Sequence, residues 1–462
     1  MPASDQGLVP PQGALPDLLS TATTASPVPP HERIPTLDLV RGLAVLGILV
    51  MNVVEFGLPM VAYDNPLHGG GTTGLDRWTW YVQMALFDGK MRALFSMLFG
   101  AGLVLITDRM ERAGRGLGAT DLLLRRCLWL ALFGVVHRFG LQWTGDILYA
   151  YGLLGLIAIA FRGWRPLPLL AAGLLCLLAF TPIQCWRHHQ VSQQRAQAQQ
   201  AVALEAAGEP VPTALQEAKV RWERRLAAPK ADANAAEIAA IRGGYASVFA
   251  YRWDHHHSFQ SAFLYYYFVW DVLGMVFVGM ALCRWGFFAG TLRNGIYGLF
   301  VAIGVLGALA SFGHAWLVAQ RGFSAGELEL RFWHEVLHPF VRGLVGLGWA
   351  AALILLHKGV AARGGVVAFL LARLADTGRM AFTNYVLQTV CCTLLFFGYG
   401  LGHYSEWSRS QLMLVWLAVS VVQVLFSWLW LRFCRCGPLE WLWRSLVWWQ
   451  RQPLWRPRPA TP

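Results

Sequence analysis

Apolar stretches of roughly 20 residues recur along the chain, separated by short polar segments and ended by Arg, Lys, Trp or Tyr. A stretch of that length, at ~1.5 Å rise per helical residue, covers the ~30 Å hydrocarbon core of a bilayer. Buried helices of soluble proteins seldom run so long in series. The pattern predicts an all-α fold, a polytopic transmembrane helix bundle. Its spans, about ten, fall at 37–57, 83–107, 122–138, 145–161, 166–184, 261–283, 294–318, 340–357, 380–401 and 411–432.

One interval breaks the rhythm. Residues 185–260 are polar and rich in Ala, Gln, Glu and Arg, which favours mixed-charge helices interrupted near Pro210 and Pro212. They read as an insertion between a first membrane half, 34–184, and a second, 261–436. Residues 1–33 are rich in Pro, Ala, Ser and Thr and have no basic residue before Arg33, so a disordered tail is expected rather than a signal peptide. Residues 437–462 carry Trp441, Trp443, Trp448 and Trp449 after Pro438, the pattern of a short interfacial helix followed by a tail. Glu440 and Arg444 are expected to pair at i, i+4 on that helix.

Hydrophobic residues make up 56% of the chain and charged ones 14%. The net charge of +12 sits mostly in short loops between spans, where it fixes orientation, so membrane lipids and not nucleic acid are the expected partners. Arg109, Arg112, Arg115, Arg125 and Arg126 crowd one side, joined by Arg162, Arg165, Arg284, Arg293, Lys358, Arg363, Arg373 and Arg379. That side is expected to be the cytoplasm. Arg432, Arg435 and Arg444 put the C-terminus there, an even span count returns the N-terminus, and the insertion faces outward. Gly42, Gly47, Gly100 and Gly102 suit close helix approach, with Ser96 and Gly100 as a small-xxx-small pair.

Charge within or beside a span costs from ~2.5 kcal/mol upward and must be compensated, so such residues are the functional candidates. Asp38 and Arg41 share a face of the first span, with Asn52 toward its far end. They form either a self-neutralised helix end or a substrate contact. His137 and Arg138 close the third span and Asp146 opens the fourth after a tight connection, so they should meet in space. A carboxylate that orients an imidazole makes a general base near neutrality; alternatively, Asp146 caps a helix while His137 packs at the interface. Asp88, Lys90 and Arg92 enter the second span near the same face and could complete that cavity.

Residues 334–338, HEVLH, match the spacing of two zinc-binding His with a Glu base. Pro339 disfavours helical geometry at His338, and no carboxylate follows until Asp376, so no metal is expected. The alternative for His334, His338 and Arg342 is an outer-facing stripe over a polar cavity. Asp254 with His255, His256 and His257 reads as a solvated tract. Asn384 and Gln388 at i, i+4 suit helix packing better than chemistry.

Five separated motifs carry a resemblance: LDLVRGLAVLGILVMN, KMRALFSMLFGAG, GDILYAYG, GRMAFTNYVLQTV and GPLEWLWRSL. In this order they resemble the signatures of the YeiB-like bacterial membrane proteins, a family defined by a domain of unknown function. That family is in turn similar in architecture to the membrane acyltransferase superfamily, whose members move an acyl group from cytoplasmic acyl-CoA to an acceptor. The resemblance matches Arg41 to the superfamily's first-span arginine. Asn52 stands where many polysaccharide acyltransferases place a His and resembles the Asn of the heparan acetyltransferase group; Tyr63 and His68 are inexact counterparts of that group's following His.

The leading expectation is transfer of an acyl group from acyl-CoA to an extracytoplasmic hydroxyl or amine. In it, His137, Asp146 and Asn52 are catalytic, and Arg41, Asp38, Asp88, Lys90 and Arg92 contact substrate. Arg109, Arg125 and Arg126 attract the CoA phosphates. A transporter of a small or amphipathic solute, using Asp38, Arg41, Asp88, Lys90, Asp146 and Asp271, is the alternative. A non-catalytic scaffold is the third.

Overall fold

The computed structural model describes residues 33–456 apart from 115, 228–229, 231, 325 and 361–362. The tail expected over 1–33 therefore lies almost wholly outside the described residues, as do Arg115 and the end of the C-terminal tail. The chain divides at Ile34 into an N-terminal segment and a compact body that begins at Pro35.

The body is helical, and among the described residues no strand forms. Helix α1 (Pro35–Gly57) is its axis: Leu39, Val40, Ala44, Val45, Leu49 and Val53 are buried almost completely. Helices α2 (Gly74–Leu86) and α3 (Lys90–Arg112) follow as one broken span, hinged at Gly89. Its φ of +66° is the left-handed conformation a glycine adopts without strain. Helix α4 (Gly116–Val135) ends in a π-helical turn, Val136–Gly140, and α5 (Leu148–Ile159) returns beside it.

Helices α6 (Pro166–Ala179) and α7 (Thr181–Ala206) make one long run that leaves the bundle. Helix α8 (Thr213–Leu226) folds back on α7, with Lys219 2.5 Å from Glu205 across the hairpin. The break falls at the prolines, as their missing N–H and fixed φ require. Helix α9 (Ala235–Ile241) sets the insertion on the bundle: Glu237 accepts from the Met60 N–H at 3.0 Å and the Tyr404 hydroxyl at 2.7 Å. Helix α10 (Tyr245–Ser258) then runs through a π-helical stretch into α11 (Val269–Arg284).

Helices α12 (Asn294–Gln320), α13 (Leu328–Val360), α14 (Gly365–Arg379), α15 (Ala381–Phe396) and α16 (Arg409–Phe433) complete the second half. Among the described residues six helical runs are long and apolar enough to cross a membrane: α1, α2–α3, α6–α7, α12, α13 and α16. The other expected spans fall on the shorter helices α4, α5, α11 and α15. Helices α12 and α16 bury only 11% and 22% of their apolar windows, so they face outward with Leu306, Leu309, Leu414 and Val422 exposed to lipid.

Glycines set the closest approaches. A Cβ at Gly42 would fall on the Leu374 carbonyl of α14, and one at Gly100 on the Val276 carbonyl of α11, as small residues in lipid-embedded bundles allow. At Gly47 it would meet the Met91 side chain. Gly102 differs from expectation: it faces open space. Asn384 donates to Ser427 at 2.9 Å, and Gln388 to the Val45 carbonyl at 2.9 Å and to Gln423 at 3.1 Å, so both hold helices together. Helix α17 (Pro438–Trp448) forms after Pro438, but Glu440 turns inward. Its carboxylate accepts from the N–H groups of Phe382 and Thr383 at 2.8 and 3.1 Å, satisfying the start of α15 in place of the expected pair with Arg444.

Candidate functional site

The π-helical turn at the end of α4 swings His137 toward the first turn of α5, where Asp146 waits. Their Nδ1 and Oδ1 atoms are 2.7 Å apart, and the side chains are 2% and 0% exposed. Asp146 is held by the helix it starts, accepting from the Leu148 N–H at 3.2 Å and the Tyr149 N–H at 3.0 Å. An acceptor at Nδ1 assigns the ring proton to that nitrogen, leaving Nε2 to accept from the Thr389 hydroxyl, 2.9 Å away on α15. The result is a Thr389–His137–Asp146 relay in a dry setting. The Tyr385 hydroxyl supports the connection, donating to the Gly145 carbonyl at 3.2 Å and accepting from Trp143 Nε1 at 3.2 Å.

Above the relay, the Thr144 hydroxyl donates to Glu55 of α1, and Arg252 of α10 donates to the Gln142 carbonyl. The tract 254–257 is helical rather than a loop: His256 is fully buried, 3.3 Å from the Gln142 amide oxygen, His255 is half-buried, and Asp254 and His257 are exposed. Burial, reinforced by Arg138 and Arg252, pushes the imidazoles of His255 and His256 down to about 4 and about 3. Asn52 is half-buried on α1, and among the described residues its side chain makes no hydrogen bond with the relay.

Asp88, Lys90 and Arg92 belong to a second cluster. Asp88 Oδ2 is 3.0 Å from His338 Nε2, and its Oδ1 is 3.4 Å from the Tyr63 hydroxyl. Lys90 donates to the Met84 carbonyl. Arg92 pairs with Asp271 at 2.6 Å, and Arg342 pairs with the other oxygen of that carboxylate. No direct hydrogen bond joins this cluster to His137 among the described residues; the Tyr151 hydroxyl of α5 donates to the Arg92 carbonyl at 3.3 Å.

The two grounds for setting HEVLH aside do not hold. Helix α13 continues through Pro339, which leaves His334 and His338 one turn apart on one face. A carboxylate comes from upstream: Asp88, His334 and His338 bring one donor atom each within 4.8 Å of one another. His314 of α12 stacks on His334 with ring centroids 4.2 Å apart, and His334 on His338 at 4.6 Å. Asp64 lies within electrostatic reach of Asp88 and His338. Although it reaches solvent, the surrounding protein and the Asp88 carboxylate push its carboxyl up to about 6.

At the opposite end of the bundle, Arg41 pairs with Asp38 at 2.8 Å. Arg126 stacks over Trp443 at 3.8 Å and feels the charges of Arg444 and Arg41. Arg125 is neutralised by Asp121 at 2.5 Å and does not join them. Arg109 lies in the last turn of α3. Sequence reasoning missed Thr389, Tyr385, Asp64 and His314, and it named Tyr63 only as an inexact counterpart of a His, not as a partner of Asp88. Thr389 and Tyr385 stood inside GRMAFTNYVLQTV, and that motif was the available signal.

Residues 282–450 match the family model described as a protein of unknown function (DUF418). The chain is 33% identical over 433 residues to the uncharacterized protein YeiB of Escherichia coli (strain K12), a match covering 90% of this chain and 96% of that one. Identity to the uncharacterized protein YxaH of Bacillus subtilis (strain 168) is 30% over 448 residues, covering 94% and 98%. An uncharacterized 39.9 kDa protein in the amylase 3' region of Bacillus acidopullulyticus is 26% identical over 428 residues, covering 93% and 97%. No solved structure matches.

Proposed function

The chain belongs to the YeiB-like DUF418 family of membrane proteins, and from that footing we propose that it is an acyltransferase acting across the membrane. The observation that carries this reading is the imidazole of His137, held at Nδ1 by Asp146 and presenting Nε2 to a hydroxyl. An acceptor hydroxyl or amine taking the place of the Thr389 hydroxyl would lose its proton to Nε2 as it attacks the thioester carbonyl. Asp146 would stabilise the imidazolium, and the thiolate of CoA would leave. On the basic side, Arg126 and Arg444 supply the charge for CoA phosphates together with Arg41, which would exchange its Asp38 partner for a phosphate; Arg125, paired with Asp121, is not among the charges acting on Arg126. In the same reading the basic end faces the cytoplasm of a bacterial inner membrane, and the insertion faces outward.

Acetyl-CoA binding by calorimetry in lipid nanodiscs tests the donor side. Saturable binding lost in Arg41→Ala and Arg444→Ala is expected; no binding to folded wild-type protein would sink the proposal. His137→Gln should retain that binding and lose transfer to hydroxylamine as a generic acceptor.

A second reading, solute transport, is favoured by one feature. The span broken at Gly89 sets Asp88, Lys90 and Arg92 beside Asp271 and Arg342, as discontinuous helices do at transport sites. Flux into proteoliposomes without acyl-CoA would support it against group transfer.

A further inference from the structure

We infer that Asp88, His334 and His338 form a binding site for one divalent first-row transition metal ion, independent of the His137 relay. Two imidazoles one helical turn apart and a carboxylate from a neighbouring element make a two-His, one-carboxylate donor set, which suits zinc or ferrous iron and leaves coordination positions open. The three donor atoms lie within 4.8 Å of one another. A tetrahedral ion with bonds of about 2.1 Å holds its donors about 3.4 Å apart, so rotation of the side chains closes the set.

Details of the cluster favour a shared ion over a simple ion pair. His338 Nε2 is buried and 3.0 Å from Asp88 Oδ2, yet the two are not aligned for a hydrogen bond. The Tyr63 hydroxyl lies 3.4 Å from the far oxygen of Asp88, the outer-shell support that orients a ligating carboxylate. His314 buttresses the His334 ring by parallel stacking, with an interplanar angle of 9°. The glycine at position 89 lets the Asp88 turn approach α13: a Cβ there would lie 3.3 Å from His338 Cε1 and 3.0 Å from Arg342 Cδ. Neighbouring cations are engaged elsewhere, Lys90 with the Met84 carbonyl and Arg92 and Arg342 with Asp271. The Lys90 ammonium stays within electrostatic reach of Asp88 and His334, but its hydrogen bond goes to the Met84 carbonyl rather than to the Asp88 carboxylate.

Full-length, tag-free protein in nanodiscs, equilibrated with Zn2+ or Co2+ and freed of excess, would be assayed by elemental mass spectrometry and visible absorption. One metal per chain is expected, with a cobalt spectrum of nitrogen and oxygen ligation. Asp88→Asn, His334→Ala and His338→Ala should each lower occupancy at least tenfold, while His256→Gln should leave it unchanged. Absence of uptake by folded wild-type protein, or uptake retained in all three ligand variants, overturns the site. Should a variant fail to fold, modification of wild-type His334 and His338 by diethyl pyrocarbonate decides: protection by Zn2+ supports the site, and equal labelling with and without Zn2+ overturns it.

Discussion

His137 holds its position because both ring nitrogens are satisfied by groups that are themselves fixed, Asp146 by a helix start and Thr389 by packing of α15. Thr389→Val keeps the shape and removes the hydroxyl, leaving Nε2 buried without a donor. A loss of about 1–3 kcal/mol is expected, with Thr389→Ser close to wild type, measured by thermal unfolding in detergent. Two histidines nearby set a pH dependence. His255 and His256 bind protons near 6.5 when unfolded but only near about 4 and about 3 when folded. Their contribution to stability is full above the unfolded value and is lost as pH falls toward the folded ones. Protection factors over α10, corrected for the intrinsic exchange rate, should therefore fall from pH 7 to pH 5, and His256→Gln should flatten that change; unchanged protection would refute it. The proximity of His137 and Asp146 was legible because a tight connection joins two spans. Thr389 lies 252 positions away, and no local pattern ties it to the imidazole.

Helix α3 carries two glycines, two residues apart, in opposite circumstances. At Gly100 the backbone of α11 leaves no room for a Cβ, whereas Gly102 faces open space. Gly100→Leu should force α3 and α11 apart at a cost of about 1–3 kcal/mol or more, and Gly102→Leu should stay within roughly 0.5 kcal/mol. Equal unfolding midpoints for the two variants would contradict this packing. Periodicity shows that both positions lie on a span; which face meets a neighbour depends on the tertiary arrangement. The same limit explains Pro339. Proline ordinarily ends a helix by removing an N–H and crowding the preceding turn, but bundle helices tolerate it where neighbours pack around the break. In α13 the helix continues, so the spacing of His334 and His338 survives. The break between α2 and α3 was likewise invisible, because Asp88, Lys90 and Arg92 read as charges entering one span until the left-handed Gly89 is seen to bring Asp88 to α13.

At the scale of the molecule, the basic loops converge on one end. Arg284 reaches Asp108 at 3.8 Å and the Arg162 carbonyl, Lys358 reaches the Leu292 carbonyl at 3.3 Å, and Arg379 reaches the Arg435 carbonyl at 3.4 Å. The insertion is tied to the other end, where Glu237 meets Met60 and Tyr404, and Asn234 donates to the His68 carbonyl at 2.8 Å. Charge alone grouped these loops in the sequence, and their contacts now group them in space. The positive-inside rule then predicts that the basic end is cytoplasmic. A phosphatase reporter inserted after Gly208 should be active outside the cell, and a fluorescent reporter after Arg456 should light up inside it. If both invert, the convergence of basic loops stands and only the assignment of sides falls. If the two sites share one side, either the insertion does not emerge opposite the C-terminus or the number of crossings between them is even, and the bundle's path through the bilayer must be redrawn.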